Sequence, residues 1–250
     1  MENNTSNIIS ATSNGVLRIT LNRPKKKNAI NAEMYKELTD LINNSANDDT
    51  VNVLILTGTG DFFCSGNDLS QQPTNSNSDT VEQILCLVKN YVNSLILYPK
   101  LSICIVNGPA IGIAVTTLAL FDLVFASDKA YFRTPFTSLG LTAEGCSTYT
   151  FPKIMGATKA CEMLYLGYKM DAAEAKERGL VTQVYKHNCM DEVWKHVENI
   201  SSLPIEPIIK TKEMIRQWNK HTLLKANDLE IEVLLETYHK GSTYRPKSKI

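Results

Sequence analysis

The chain has 250 residues, 43% of them hydrophobic, so it can bury one large core or two small ones and lacks the composition of a disordered protein. Its 26 lysines and arginines balance 26 aspartates and glutamates, which excludes an overall field toward nucleic acid or an anionic membrane, and no run of about 18 apolar residues offers a membrane span. The six cysteines, at 64, 86, 104, 146, 161 and 189, have no C-x-x-C spacing, and several lie in apolar runs, as small buried side chains do in a reducing intracellular compartment.

In chain order, residues 1–13 are polar, with neither the apolar stretch of a secretory signal nor the arginines of a transit peptide. Residues 16–21 set Leu17, Ile19 and Leu21 on one face of a strand that Asn22-Arg23-Pro24 ends. Lys25, Lys26 and Lys27 follow in a loop, either a solvated turn or a phosphate contact. Asn31 caps a helix whose apolar stripe is Met34, Leu38, Leu41 and Ile42. Residues 53–56 read as a strand apolar on both faces, which belongs in a sheet covered on both sides. Residues 58–69 form a loop with three glycines, and 71–80 a polar flap or surface excursion.

A helix over residues 81–97 carries Ile84, Leu85, Val88, Tyr91, Val92 and Leu95, and Pro99 stops it ahead of an apolar strand at 101–106. Asn107-Gly108-Pro109 makes the turn. The spacing then predicts an apolar buried helix over 112–121, a strand over 122–126, and helices over 147–166 and 171–178, the last closed by Gly179. From Met190 the pattern is helical throughout. Strand-helix alternation gives an α/β fold without internal repeats, with a core over 1–190 and a helical region over 191–250 of the same domain.

For chemistry, Gly58-Thr59-Gly60 after an apolar strand suggests a dinucleotide turn, but Phe63 replaces the third glycine and no helix starts there. His187, His196, His221 and His239 have no metal-ligand spacing, so no metal site is expected. Glu144 is the most suggestive residue. It lies in the uncharged stretch Leu141-Thr142-Ala143-Glu144-Gly145-Cys146-Ser147, where desolvation would raise its pKa and make it a better base toward a weak carbon acid. The other reading is a helix-start glutamate facing water. Two turns bear on this, Ser65-Gly66-Asn67-Asp68 and Ala110-Ile111-Gly112-Ile113. Each would expose backbone N–H groups, and two such donors on one carbonyl oxygen stabilise an enolate by a few kcal/mol.

From about residue 8 to about residue 240 the sequence resembles the enoyl-CoA hydratase/isomerase (crotonase) superfamily. The matching stretches, in the family's order, are Asn22-Arg23-Pro24 with Lys27-Asn28-Ala29-Ile30, Phe63-Cys64-Ser65-Gly66-Asn67-Asp68-Leu69, and Val106-Asn107-Gly108-Pro109-Ala110-Ile111-Gly112. Phe121-Asp122-Leu123-Val124-Phe125-Ala126, Thr134-Pro135-Phe136, Gly140 and Phe151-Pro152 follow.

The resemblance implies a spiral of ββα units with a helical carboxy-terminal region that builds a homotrimer or a dimer of trimers. It also implies an oxyanion hole from the N–H groups of Asn67 and Ile113. The CoA part of an acyl-CoA substrate would lie along Lys26, Lys27, Asn28, Ala29, Ser65, Gly66, Asn67, Asp68, Leu69 and Gly112. Hydratases of the family carry two water-activating glutamates, and here Thr116 and Phe136 take their places, which implies a dry acyl pocket.

Glu144 instead matches the single glutamate of the peroxisomal type of Δ3,Δ2-enoyl-CoA isomerase, whose Pro-Glu-Gly-Cys-Ser stretch is close to Ala143-Glu144-Gly145-Cys146-Ser147. That type implies one-base proton transfer with no cofactor beyond the CoA of the substrate. It often carries an acyl-CoA-binding domain ahead of the isomerase domain, so this chain reads as a shorter relative or a truncated form. Ser248-Lys249-Ile250 is one conservative residue from a Ser-Lys-Leu address, which implies an import receptor and the peroxisome, with the mitochondrion as alternative. The rival expectations are an enoyl-CoA hydratase and a non-catalytic domain of the chromodomain Y-like type, which typically has aspartate at the position of Glu144.

Overall fold

The structure is a computed structural model that describes residues 6–71, 78–187 and 189–239. The chain opens with a hairpin of β1 (Ile8–Ser13) and β2 (Val16–Leu21), antiparallel in the register Ile8↔Leu21 to Ser13↔Val16. Asn14 and Gly15 turn it, both at positive φ (49° and 76°), as a tight hairpin requires. The polar amino end conceals β1 because it is an edge strand. Only Ile8 of it is buried, and its other side chains face outward.

From β2 the chain winds in successive turns, each made of a strand in the large sheet, a short strand or bridge in a second sheet, and a helix. After β2 come the Ile30 bridge to Asn67 and α1 (Ala32–Ala46), capped by Asn31, whose Oδ1 accepts from Met34 N at 2.9 Å. β3 (Val53–Gly58) leads through the Cys64 bridge to Ala110 and on to α2 (Ser78–Leu97). β4 (Leu101–Val106), β5 (Ala110–Ile111) and α3 (Ile113–Thr116) form the next turn. β6 (Leu123–Ser127) and β7 (Tyr131–Arg133) precede α4 (Ser147–Met155) and α5 (Ala157–Leu166). β8 (Met170–Asp171), α6 (Ala172–Glu177) and β9 (Gln183–Tyr185) complete the two sheets, ordered β1-β2-β3-β4-β6-β9 and β5-β7-β8. From β2 to β9 the large sheet is parallel.

This is the spiral of ββα units that the family resemblance implies. Two expected helices are broken. Over residues 112–121, α3 gives way to a tighter 3-10 turn at Thr117–Leu120, because Ile113, Val115, Thr116 and Thr117 crowd a regular helix and Thr117 Oγ1 bonds back to Ile113 O at 2.7 Å. Over 147–166, Gly156 at φ 81° separates α4 from α5. Most of the polar 71–80 stretch, at 72–77, lies outside the described residues, and α2 begins at Ser78 rather than at 81.

The parallel strands bury alternate residues in two layers. Leu54, Leu56, Cys104, Val106, Val124 and Ala126 join the main core with α1 and α2, whereas Val53, Ile55, Leu101, Ile103, Ile105 and Phe125 face a second layer. That second layer is closed by Val193 and Val197 of α7 (Met190–Ser201) and by Ile205 and Ile208 of α8 (Ile205–Gln217). Each such side chain withdrawn from water contributes about 1.5–3 kcal/mol. The last helix, α9 (Lys220–His239), turns a stripe of Leu223, Asn227, Glu230 and Leu234 inward, and Asn227 Nδ2 donates to Lys89 O and Asn93 Oδ1 of α2.

Candidate active site

Four turns that follow strands of the large sheet pack together, and those that carry Ile30, Asn67 and Glu144 reach one cavity. In the first, Lys27 and Asn28 are both left-handed (φ 52° and 54°). The Asn28 carboxamide is fully buried: Oδ1 accepts from Arg23 N at 2.9 Å, and Nδ2 donates to the carbonyls of Thr59, Phe62 and Phe63 at 2.8, 2.8 and 3.1 Å. Asn28 is therefore a strut between two turns, with its side chain already occupied. Lys26 and Lys27 are exposed, and Lys27 Nζ lies 4.9 Å from the centre of the Phe62 ring. Ala29 is buried, its carbonyl accepting from Arg23 Nη1 at 2.6 Å.

In the second turn, Ile30 N donates to Gly66 O and Asp68 N donates to Ile30 O, each at 2.9 Å. A parallel bridge of this kind leaves the intervening N–H, that of Asn67, pointing away, and it meets no acceptor among the described residues. Asp68 is bound by Arg23 Nη1 at 2.9 Å and by Ser70 N and Oγ. Burial would raise its carboxyl, but Ser70 and Arg23 hold it below the ordinary value. Its charge is thus taken up inside the protein.

The third turn closes on the second. Ile111 N donates to Cys64 O at 3.0 Å, and Gly112, at φ 62°, donates to Arg133 O at 2.9 Å. A Cβ on Gly66 (φ 88°) would stand 2.8 Å from Ile111 O, so glycine is what permits this approach. Ile113 begins α3, and its N–H, like others in a first helical turn, has no acceptor among the described residues.

The fourth turn carries Glu144 ahead of α4. A Cβ on Gly145 (φ 73°) would collide with Thr116 Oγ1, so Thr116 lies directly against this turn. Glu144 is only 3% exposed. Its Oε1 accepts from Asn67 Nδ2 at 2.9 Å, and its Oε2 has no partner among the described residues. Asn67 Oδ1 in turn accepts from the hydroxyl of Tyr35, fully buried on α1, in a very short contact. Burial first, and then the negative charge of Glu230, push Glu144 up to about 7 against the lowering effect of the Asn67 hydrogen bond. The water-facing helix-start reading is wrong, because α4 begins only at Ser147 and Glu144 is enclosed.

The cavity holds about 320 Å³, and its wall includes Tyr35, Asn67, Phe136, Leu141, Glu144 and Leu234. Asp68 also reaches it. Of the expected acyl-pocket pair, Phe136 lines the cavity, whereas Thr116 lies outside the wall with its hydroxyl turned to Ile113 O at 3.3 Å. Residues 26–29, Ser65, Gly66, Leu69, Gly112 and Ile113 belong to the adjoining turns. A larger groove of about 620 Å³ lies elsewhere, beside α8, and its carboxylate, Asp122, is neutralised by Lys212 at 2.7 Å and Arg216 at 3.3 Å. Among the described residues no group of three or more His, Cys, Asp or Glu is placed to hold a metal ion, and no helix is long and apolar enough to cross a membrane.

Sequence reasoning missed Tyr35, the Asn67 side chain as partner of Glu144, and Glu230. Tyr35 sits beside the Met34 stripe and reads as core, and Glu230 lies among Asp228, Glu232 and Glu236 and reads as solvated. Neither carries a local signal.

The Enoyl-CoA hydratase/isomerase family profile matches residues 11–247. The chain is 44% identical to Enoyl-CoA delta isomerase 3, peroxisomal, of Mus musculus over 92% of its own length and 73% of the relative's. It is 43% identical to Enoyl-CoA delta isomerase 2 of Homo sapiens over 91% of its own length, and spans 58% of that protein. A more distant likeness, 37%, is to Testis-specific chromodomain protein Y 1 of Homo sapiens, over 91% of this chain and 43% of that one. Among solved structures, an enoyl-CoA hydratase/isomerase from Pseudoalteromonas atlantica T6c superposes with a TM-score of 0.85 at 31% identity, covering 95% of this chain and 93% of that one.

Proposed function

The chain belongs to the enoyl-CoA hydratase/isomerase family, and on that premise we propose that it is a Δ3,Δ2-enoyl-CoA isomerase, converting 3-enoyl-CoA to trans-2-enoyl-CoA in the β-oxidation of unsaturated fatty acids. The observation that carries this reading is the Glu144 carboxyl, enclosed on a mostly apolar cavity with one oxygen unpaired among the described residues and its pKa raised to about 7. Such a group is a base near neutrality, and once protonated it is an acid of similar strength. Glu144 takes the C2 proton of the substrate, whose electrons move into a dienolate, and returns it at C4, so the double bond shifts without net gain or loss of atoms.

The thioester oxygen bears the developing charge between the N–H groups of Asn67 and Ile113, both without acceptors among the described residues. Phe136 on the cavity wall disfavours water addition. Lys26 and Lys27, exposed on the turn beside Ser65, suit the phosphates of CoA. Exposed Leu203 near α8, with Met214, Ile215 and Trp218 at its end, supports assembly into a homotrimer or a dimer of trimers. The peroxisomal name of the mouse relative supports the peroxisome, entered through Ser248-Lys249-Ile250, which lies outside the described residues.

The test compares wild type with Glu144→Gln on 3-trans-hexenoyl-CoA and also scores hydration of the 2-enoyl product. Undiminished isomerisation in the variant removes Glu144 as the base. Hydration faster than isomerisation removes the reaction class.

A further inference from the structure

The mechanism above leaves one buried carboxylate unused. Glu230, 4% exposed on α9, accepts from Cys146 N at 2.6 Å through Oε2, and from Thr148 N at 2.9 Å and Thr148 Oγ1 at 2.5 Å through Oε1. Three donors converge on it, and no cation lies within ion-pair distance among the described residues. Cys146 and Thr148 lie at the start of α4, where backbone N–H groups lack helical acceptors and a serine, threonine or aspartate normally caps from within the chain. Cys146, held at φ 62°, makes no such cap, and Glu230 supplies it from 84 residues further on. The backbone it grips begins two residues after Glu144.

We propose that Glu230 is a positioning residue for Glu144: from the last helix its carboxylate grips the turn that carries Glu144 and holds a negative charge on the backbone two residues beyond it. The inference rests on the reading of Glu144 as the base.

Other ionisable groups around Glu144 do not compete for this role near neutral pH. Tyr35 on α1, Cys64 and Cys146 are all pushed up by burial and stay neutral. Asp68 at the cavity is paired with Arg23, and Tyr238 of α9 is a further phenol on the cavity wall. The pairs Lys89–Asp228 and His239–Glu82 link α2 to α9 at the surface. Burial raises Glu230 itself above the usual carboxyl value, with its three hydrogen bonds opposing.

The experiment measures kcat/KM against pH for wild type, Glu230→Gln and Glu230→Asp. In wild type the rate rises as Glu144 ionises. Glu230→Gln removes the charge, so the acid limb moves to lower pH by on the order of one unit, and the plateau falls because the base is weaker. Glu230→Asp keeps the charge but shortens the reach, so the limb stays and only the plateau falls. An unmoved limb in Glu230→Gln, or an equal shift in both variants, overturns the proposal.

Should Glu230→Gln not fold, carboxyl 13C NMR on wild type and Glu144→Gln supplies the reciprocal reading. Removing the Glu144 charge must lower the pH at which Glu230 titrates, and an unchanged Glu230 titration also overturns the proposal. Failure of the underlying reading looks different, because Glu144→Gln would then retain isomerisation whatever Glu230 does.

Discussion

Asp122 and Glu144 are both carboxyls sheltered by the fold, and their surroundings are opposite. Asp122 accepts from Lys212 Nζ at 2.7 Å, from Arg216 Nη2 at 3.3 Å and from Ser102 N and Oγ at 2.8 and 2.9 Å. Two cations and two neutral donors saturate it, and the cluster ties α8 to β4 and the start of β6. Burial lowers Lys212 to about 8 despite the pull of Asp122, so even there desolvation is the larger effect. Among the described residues Glu144 has one amide donor, no cation and an oxygen without a partner, on the wall of a cavity. Compensated burial builds architecture, whereas uncompensated burial beside open space suits the base proposed at Glu144.

The largest effect that would break this contrast is on rate. Glu144→Gln keeps the shape and removes the base, so kcat/KM should fall at least about 10³-fold, roughly 4 kcal/mol of transition-state stabilisation, with an unchanged circular dichroism spectrum. Next comes the architectural side. Asp122→Asn leaves buried Lys212 and half-buried Arg216 without their carboxylate and should lower unfolding stability by about 3 kcal/mol in urea, while leaving the acid limb of the rate profile in place. A urea midpoint equal to wild type would mean that the cluster is not what holds α8.

Stability against pH sharpens the contrast further. The folded-state value of Glu144 lies above its unfolded value of 4.5, so its contribution is fully present below 4.5 and is lost as pH rises through about 7. Glu144→Gln, which cannot ionise, should therefore match wild type near pH 4.5 and exceed it by about 3 kcal/mol at pH 8, read from paired urea titrations. The smallest effect belongs to Tyr35→Phe. It removes the hydroxyl that orients Asn67, should cost about 1 kcal/mol, and should move the acid limb slightly upward as the Asn67 hydrogen bond to Glu144 loosens.

Much of the layout was legible locally. The strands around Leu17 to Leu21, 53–56 and 101–106 announce themselves because their apolar residues must fill one or both faces of a sheet, and Asn31 marks a helix start because its side chain accepts from Met34 N. β5, β8 and β9 were not legible. Two or three residues carry no period, and their pairing depends on which distant strand lies alongside. The helix expected over 112–121 failed for a related reason, since apolar content indicates burial and not the helical pitch.

For the site, the uncharged stretch around Glu144 and the glycines at 66 and 112 raised a desolvated carboxyl against a water-facing one and pointed to two turns whose N–H groups at Asn67 and Ile113 meet no acceptor among the described residues. Desolvation and positive φ are properties of short segments, written in a few consecutive residues. Asn28 shows the boundary of that reasoning. It stands in the stretch expected to receive CoA, and the fold turns its side chain inward to three carbonyls of another turn. Tyr35 and Glu230 lie beyond the boundary altogether: Tyr35 reaches Glu144 only through Asn67, 32 residues from it and 77 from Glu144, and Glu230 reaches the same turn across the 84 residues that separate it from Cys146, distances that the folded chain alone removes.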